Sequence, residues 1–266
     1  DQTVLANEQV VDGRCERCGS PVTKKNLTQW LFRITAYADE LLDALDELEE
    51  WPDRVRTMQR NWIGRSRGAE INFSVEGHEE SIRVYTTRPD TVFGTTLMAL
   101  APEHTLVEQI TTSEQRGEVE AYVEEAKRQT EIERLSTEKE KTGVFTGAYA
   151  INPMTGARIP VWIADYVLAT YGTGAIQAVP GGDERDYDFA LKYNLPVITV
   201  VEPVGEYDQS NTDPAIAPQY RGDSDVPVYT GPGIMVNSGP VDGIPTEQSK
   251  AAIIALLEGD GHGKGA

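Results

Sequence analysis

The sequence predicts a mixed α/β fold, a mixed sheet or barrel decorated by helices, with helical extensions at both ends. Three observations carry this reading. Two strand pairs in the middle of the chain flank explicit turn residues, apolar residues near both ends repeat at three and four residues, and a glycine-punctuated strand runs directly into a capped helix. With 266 residues, 39% hydrophobic and 25% charged, the chain is long enough for one large domain or a medium one with appendages.

Taken in order, residues 1–25 lack long apolar runs and carry Cys15-Glu16-Arg17-Cys18-Gly19. Leu27, Trp30, Leu31, Ile34, Tyr37, Leu41, Leu42, Leu45 and Leu48 then keep a helical period, with Asn26 and Gln29 as a start signal and Pro52 as a stop. Val55, Met58 and Trp62 predict a shorter helix ending at Gly64. From about Ala69 the period becomes that of strands. Residues 70–75 and 81–87 flank Glu76-Gly77-His78-Glu79, and residues 144–151 and 158–163 flank Asn152-Pro153-Met154-Thr155-Gly156. Strands are also expected over 174–179 and 196–201, and helices over 103–110, 113–135, from Asp183 onward, and 247–257. Residues 202–226 are acidic and rich in Pro, Gly, Asp and Ser, a long loop or insertion, and 259–265 read as a connector. There are no internal repeats.

The formal net charge of −19 opposes general nucleic-acid binding, because affinity for phosphates comes from Lys and Arg. Contact with RNA must therefore be local or come from outside this chain. The densest basic stretch, Arg54, Arg56, Arg60, Arg65 and Arg67, reads first as a solvated helix face and linker. No apolar run approaches the roughly 18 residues of a membrane span, and no secretion signal opens the chain. Two cysteines make no disulfide framework, so a reducing cytoplasm is expected. The first residue is Asp rather than Met, which suggests a piece of a longer protein.

Ordinary catalytic signatures are missing. His78, His104 and His262 are scattered and read as surface residues, and no glycine-rich phosphate loop is present. Two segments are unusual. Thr86-Thr87-Arg88-Pro89-Asp90-Thr91, continuing to Thr95 and Thr96, gathers five hydroxyls at a strand end. Tyr171-Gly172-Thr173-Gly174-Ala175-Ile176-Gln177-Ala178-Val179-Pro180 leads through Gly181 and Gly182 to Asp183-Glu184-Arg185-Asp186. Asp183 is the natural N-cap of the helix that follows and Asp186 lies in its first turn. Both carboxylates complement the helix dipole, and either alternatively faces a pocket and binds a cation.

Together these segments resemble the editing domain of leucyl-tRNA synthetases, of bacterial or organellar type. The likeness extends to Leu100-Ala101-Pro102-Glu103-His104, to Gln2 through Val10, to Met58 through Gly64 and to Met235 through Gly239, so it covers nearly the whole chain. It implies a β-barrel editing domain of a class I aminoacyl-tRNA synthetase with surrounding helices. The implied organisation is a partial zinc-ribbon-like connector at 1–25, a helical arm and linker at 26–66, the editing domain at 67–240, and a C-terminal helix and connector at 241–266.

The function implied is post-transfer editing: hydrolysis of norvaline, isoleucine or methionine esters of the tRNA for leucine. A second sieve is needed because one methylene gives an apolar pocket only about 1–3 kcal/mol of discrimination. By the resemblance, Thr86, Thr87 and Asp186 carry the catalysis, the two threonines contacting the ester, the water or the terminal ribose. Asp186, ionised at neutral pH, binds the α-ammonium. Thr91 lines the side-chain pocket and rejects leucine, while Arg88, Tyr171, Val179, Gln177 and Arg185 are further substrate or tRNA contacts. The partners implied are the 3′-terminal adenosine of the tRNA and the rest of the parent synthetase, the chain being monomeric and free of membrane. No cofactor or metal is expected, since Cys15 and Cys18 form only half a zinc knuckle. The sequence departs from the family pattern at Gly182, where many relatives carry His, and at Gln177, where many carry Met. These departures keep open a rival reading, a degenerate domain that docks tRNA or serves only structurally.

Overall fold

The computed structural model describes residues 3–23, 28, 30–129, 131–136, 140–204, 220–221 and 228–266. Two compact units divide at Ser66 and Arg67. In the first, strands β1 (Val10–Val11) and β2 (Arg14–Cys15) form an antiparallel hairpin. It is followed by α1 (Ala38–Asp43), flanked by 3₁₀ turns at Ile34–Tyr37 and Ala44–Asp46, and by α2 (Asp53–Ile63). The second helix ends as expected, at Gly64 with φ of +54°.

The first helix is shorter than its period predicts. Trp30 and Phe32 are 102% and 94% exposed, and among the described residues of the apolar series only Leu42 and Leu45 are buried. A short helix is marginal without burial of its apolar face, and here the start of that face has nothing to cover it within the unit. The expected start at Asn26, Leu27 and Gln29 lies outside the described residues.

The second unit holds strands β3 (Ala69–Val75), β4 (Ser81–Thr86) and β5 (Leu97–Leu100), then helices α3 (Leu106–Ile110), α4 (Arg116–Ala126) and α5 (Glu131–Leu135). Next come β6 (Gly143–Ile151), β7 (Arg158–Ala164), β8 (Ala175–Ala178), α6 (Glu184–Lys192) and β9 (Val201–Glu202). The unit ends with β10 (Tyr220–Arg221), β11 (Val228–Tyr229), β12 (Ile234–Met235), α7 (Thr246–Gly259) and β13 (Gly263–Gly265). The main sheet has the order β13-β3-β6-β7-β5-β8, with β4 on the other edge of β3. Only β5 and β7 run parallel.

The mixed α/β class is as expected, but the sheet is not a closed barrel. It curls so that β4 lies near β8, yet no hydrogen-bonded ladder joins them among the described residues. Both predicted hairpins are present, β3–β4 and β6–β7. The strand expected over 196–201 shrinks to Val201–Glu202, because Pro196 has no N–H and the preceding carbonyls go elsewhere: Val200 O accepts from Val236 N and Thr199 O from Asn237. The single helix expected over 113–135 is two helices, interrupted after Ala126. The glycine-rich stretch read as a connector supplies β13, and a side chain at Gly263 would meet Glu70 O at 2.4 Å. Most of the 202–226 insertion lies outside the described residues.

The core follows the two faces of β5. Met98 and Leu100 join Ile71, Phe73, Ile82, Val84, Val161 and Ile163, which Ile253 and Leu257 of α7 cover. Leu97 and Ala99 instead join Ala178 and Phe189 of α6. Burial on both faces is why this strand is continuously apolar. Among the described residues no helix is long and apolar enough to cross a membrane.

Candidate functional site

The first half of the site is the 3₁₀ helix Pro89–Gly94 at the end of β4, all six residues of which are buried. Its geometry is set by short-range bonds. Thr86 Oγ1 accepts from Arg88 N at 3.0 Å, and Thr91 Oγ1 donates to Arg88 O at 3.0 Å. Asp90, fully buried, holds the Arg88 guanidinium through Nε (3.0 and 3.1 Å) and Nη2 (2.8 Å), so much of that charge is spent internally. From the β6–β7 turn, Asn152 Nδ2 donates to Val92 O at 2.8 Å, pinning the segment from beyond the hairpin. Thr87 is exposed. Thr95 and Thr96 are buried with hydroxyls that have no hydrogen-bond partner among the described residues.

The second half is the β8–α6 turn. Val179 O accepts from both Gly182 N (2.9 Å) and Asp183 N (3.1 Å), and the Asp183 carboxylate caps α6 by accepting from Arg185 N and Asp186 N. The predicted N-cap is thus observed. Asp186 is buried; its Oδ2 accepts from Val179 N at 2.8 Å and its Oδ1 from Tyr166 Oη at 3.3 Å. Among the described residues it has no ion-pair partner. Burial, and then the neighbouring Asp183 charge, push its pKa up to about 7 against the opposing pull of the Val179 N–H, Arg185 and the Tyr166 hydroxyl. An ordinary Asp is fully ionised at neutral pH; burial here shifts the carboxyl toward its neutral form.

The two halves meet at Val179. Thr96 N donates to Ala178 O at 3.2 Å, and Gly94 lies so close that a Cβ there would sit 3.1 Å from Val179 Cγ1. Gln177 is buried on β8 opposite Met98, its Oε1 without a partner among the described residues. Arg185 donates to Asp183 Oδ2 at 3.4 Å, and Tyr171 stands 83% exposed on the loop before β8. The structure thus joins Thr86, Arg88 and Thr91 in one network and Val179 and Asp186, beside Asp183 and Arg185, in another.

Two departures from sequence expectation matter here. His104 is half-buried rather than a surface residue, its Nδ1 accepting from Leu106 N at 3.1 Å, and burial lowers its pKa. A Cβ at Gly182 would make only ordinary contacts, at 3.8 Å or more, and its φ is not positive, so nothing in the turn requires glycine there. Sequence reading passed over Tyr166, which has no local signal and reaches Asp186 across 20 residues. Cys15 and Cys18 are free thiols on the first hairpin, and no cluster of three metal-ligating side chains occurs among the described residues. The Ser20 hydroxyl beside Cys18 lowers that thiol to about 7.

The fold is similar to that of a solved aminoacyl-tRNA synthetase. That structure, a ternary complex of Agrobacterium radiobacter K84 agnB2 LeuRS with tRNA and LeuAMS, has a TM-score of 0.69 and 37% identity, covering 98% of this chain and 28% of that one. Residues 60–258 match the leucyl-tRNA synthetase editing domain, and the chain belongs to that family. It is 57% identical over 260 residues to the leucine–tRNA ligase of Caldanaerobacter subterraneus subsp. tengcongensis, and 54% identical over 265 residues to that of Acidothermus cellulolyticus. The enzyme of Thermotoga maritima is 51% identical over 263 residues. These alignments take in 98–99% of this chain and 30% of each ligase.

Proposed function

We propose that the chain is an ester hydrolase that removes norvaline, isoleucine or methionine from the tRNA for leucine, as part of a leucine–tRNA ligase. The observation that carries this reading is Asp186: a buried carboxylate at a helix N-terminus, aimed by two hydrogen bonds and without an ion-pair partner among the described residues. An α-ammonium group supplies that cation and restores full ionisation through a charge-assisted hydrogen bond. Thr86 and Thr87 stand at the end of β4, which runs near β8, and serve the ester, the attacking water or the terminal ribose. Catalysis then comes from positioning ester and water and from polar stabilisation of the oxyanion. Thr91 bounds the side-chain pocket and excludes leucine, with Val179 and Gln177 as further wall. Tyr171, exposed, and Arg185, on the helix rim, face the adenosine and tRNA.

Hydrolysis of norvalyl- and leucyl-tRNA by this chain, beside Asp186→Ala and Thr91→Ala, tests the reading. We expect selective loss of norvaline, reduced at least about tenfold by Asp186→Ala, since a hydrogen bond to a charged group contributes roughly 1.5–3 kcal/mol. Thr91→Ala should extend hydrolysis to leucyl-tRNA. Norvalyl-tRNA hydrolysis that persists in Asp186→Ala would overturn the role given to Asp186. The pKa adds a second signature: kcat/KM should rise with pH through about 7 as the free enzyme's Asp186 ionises.

A further inference from the structure

Tyr166 sits in a segment more tightly held than a surface connection between β7 and β8 requires. Arg134 on α5, its side chain only 3% exposed, donates Nε to Asp165 O and Nη2 to Val167 O, each at 2.6 Å. Those carbonyls flank Tyr166 on either side. Glu103, following β5, accepts from Arg134 Nη1 at 2.6 Å and Nη2 at 3.4 Å, which orients the guanidinium fork. Thr142 closes the remaining freedom: Asp165 N donates to Thr142 O, and Asp165 Oδ1 accepts from Thr142 N, both at 3.2 Å.

The ring held in this way touches α6 twice. The ring meets Phe189 edge-on, centroids 5.8 Å apart at an interplanar angle of 62°, and its hydroxyl reaches Asp186 three residues earlier on the same helix face. Only a planar fork with donors in two directions spans both carbonyls while pairing with a carboxylate, which a lysine cannot reproduce.

We infer that Arg134, oriented by Glu103, is a positioning residue that sets the Asp186 carboxylate through Tyr166. This deepens, and rests on, the reading of Asp186 as the ammonium-binding group. The charged and titratable groups facing Asp186 are Asp183 and Arg185 from its own turn and Tyr166 from the β7–β8 segment. Of these, Tyr166 is the one whose placement depends on a residue distant in sequence. Its hydroxyl donates to the ionised form of Asp186, so its loss disfavours ionisation. An Arg134–Glu103 pair kept only for stability would have no bearing on Asp186 titration.

The test is the titration of Asp186, followed by carboxyl carbon NMR on the 266-residue chain, together with the acid limb of norvalyl-tRNA hydrolysis, for Tyr166→Phe and Arg134→Lys. Both variants should move the Asp186 pKa upward by about half a unit or more, a fraction of a charge-assisted hydrogen bond at 1.36 kcal/mol per unit. The acid limb should move with it. In Tyr166→Phe/Arg134→Lys the second change should add nothing, since it acts through the lost hydroxyl. An unmoved pKa in Tyr166→Phe, or in Arg134→Lys with Tyr166 intact, overturns the inference. If Arg134→Lys fails to fold, Glu103→Gln takes its place, with the same shift expected and the same result overturning it. If the parent chain hydrolyses nothing, the functional reading fails, and the titration alone decides whether the clamp sets Asp186.

Discussion

At the scale of the residue, the site trades stability for charge. The folded pKa of Asp186, about 7, lies above the ordinary 3.8, so burial costs nothing at low pH, where the carboxyl is neutral both folded and unfolded. The cost grows as pH rises from about 4 to about 7 and is constant above that. Asp186→Asn should therefore raise the unfolding free energy at pH 8, by an amount on the order of 2 kcal/mol, and leave it nearly unchanged at pH 4. Val179 N still finds an acceptor in the amide, and the Tyr166 hydroxyl can turn to accept from it. Denaturant melts at the two pH values check this, and equal gains at both would contradict the burial account. Thr95 and Thr96 pose a similar question, since each buries a hydroxyl without a partner among the described residues. Thr96→Val should stabilise the chain by about 1 kcal/mol, because removing an unsatisfied polar group relieves its desolvation cost. Destabilisation in thermal melts would mean that the hydroxyl has a partner in solution.

At the scale of the element, adjacent glycines in one turn have different physics. A Cβ at Gly181 would lie 2.3 Å from Ile198 O, a backbone atom that cannot swing away, whereas Gly182 meets nothing nearer than 3.8 Å. Gly181→Ala should cost about 2 kcal/mol or more, and Gly182→Ala no more than about 0.5 kcal/mol. Chemical denaturation of the two variants separates them directly. Gly182→His, the residue many relatives carry, should fold as well as the parent chain. The same contrast explains which elements were legible. The β3–β4 and β6–β7 hairpins show a period of two around turn residues, and Asp183 shows a local capping pattern, so both read directly from the sequence. Strand β5 did not, because a Leu-Met-Ala-Leu run buried on both faces has no period. Neither did β13, whose glycines look like a linker until β3 is beside them.

At the scale of the whole molecule, the two units differ in how much apolar surface they bury. Among the described residues the first buries only Leu42 and Leu45 of its large apolar side chains, while the second carries both apolar clusters of the sheet. Hydrogen exchange should therefore be fastest in residues 1–66, with β3, β5 and β7 protected to the global unfolding limit. Comparable protection in α1 and β5 would show that the first unit is stabilised by something other than its own core. The charge of −19 also makes a molecular prediction. An ordinary RNA-binding surface loses affinity steeply as salt rises, but here screening also weakens the repulsion of tRNA by the body of the chain. Raising salt from about 50 to about 200 mM should leave kcat/KM for mischarged tRNA nearly flat, well short of the loss of about 10³ or more expected of a surface with six or more phosphate contacts.

The sequence by itself determined the mixed α/β class, two hairpins, the Asp183 cap and the motifs that mark the family. All of these are encoded within a dozen or so neighbouring residues, where backbone period and turn chemistry act. What only the tertiary structure decided is the state of Asp186. Its burial on the first turn of α6, the Tyr166 hydroxyl arriving from 20 residues away, and the Arg134 fork gripping the carbonyls on either side of that tyrosine from 31 and 33 residues away rest on long-range contacts without a local signature. The open sheet is of the same kind. Whether β4 and β8 close a ladder depends on the accumulated curl of every strand between them, which no single segment specifies.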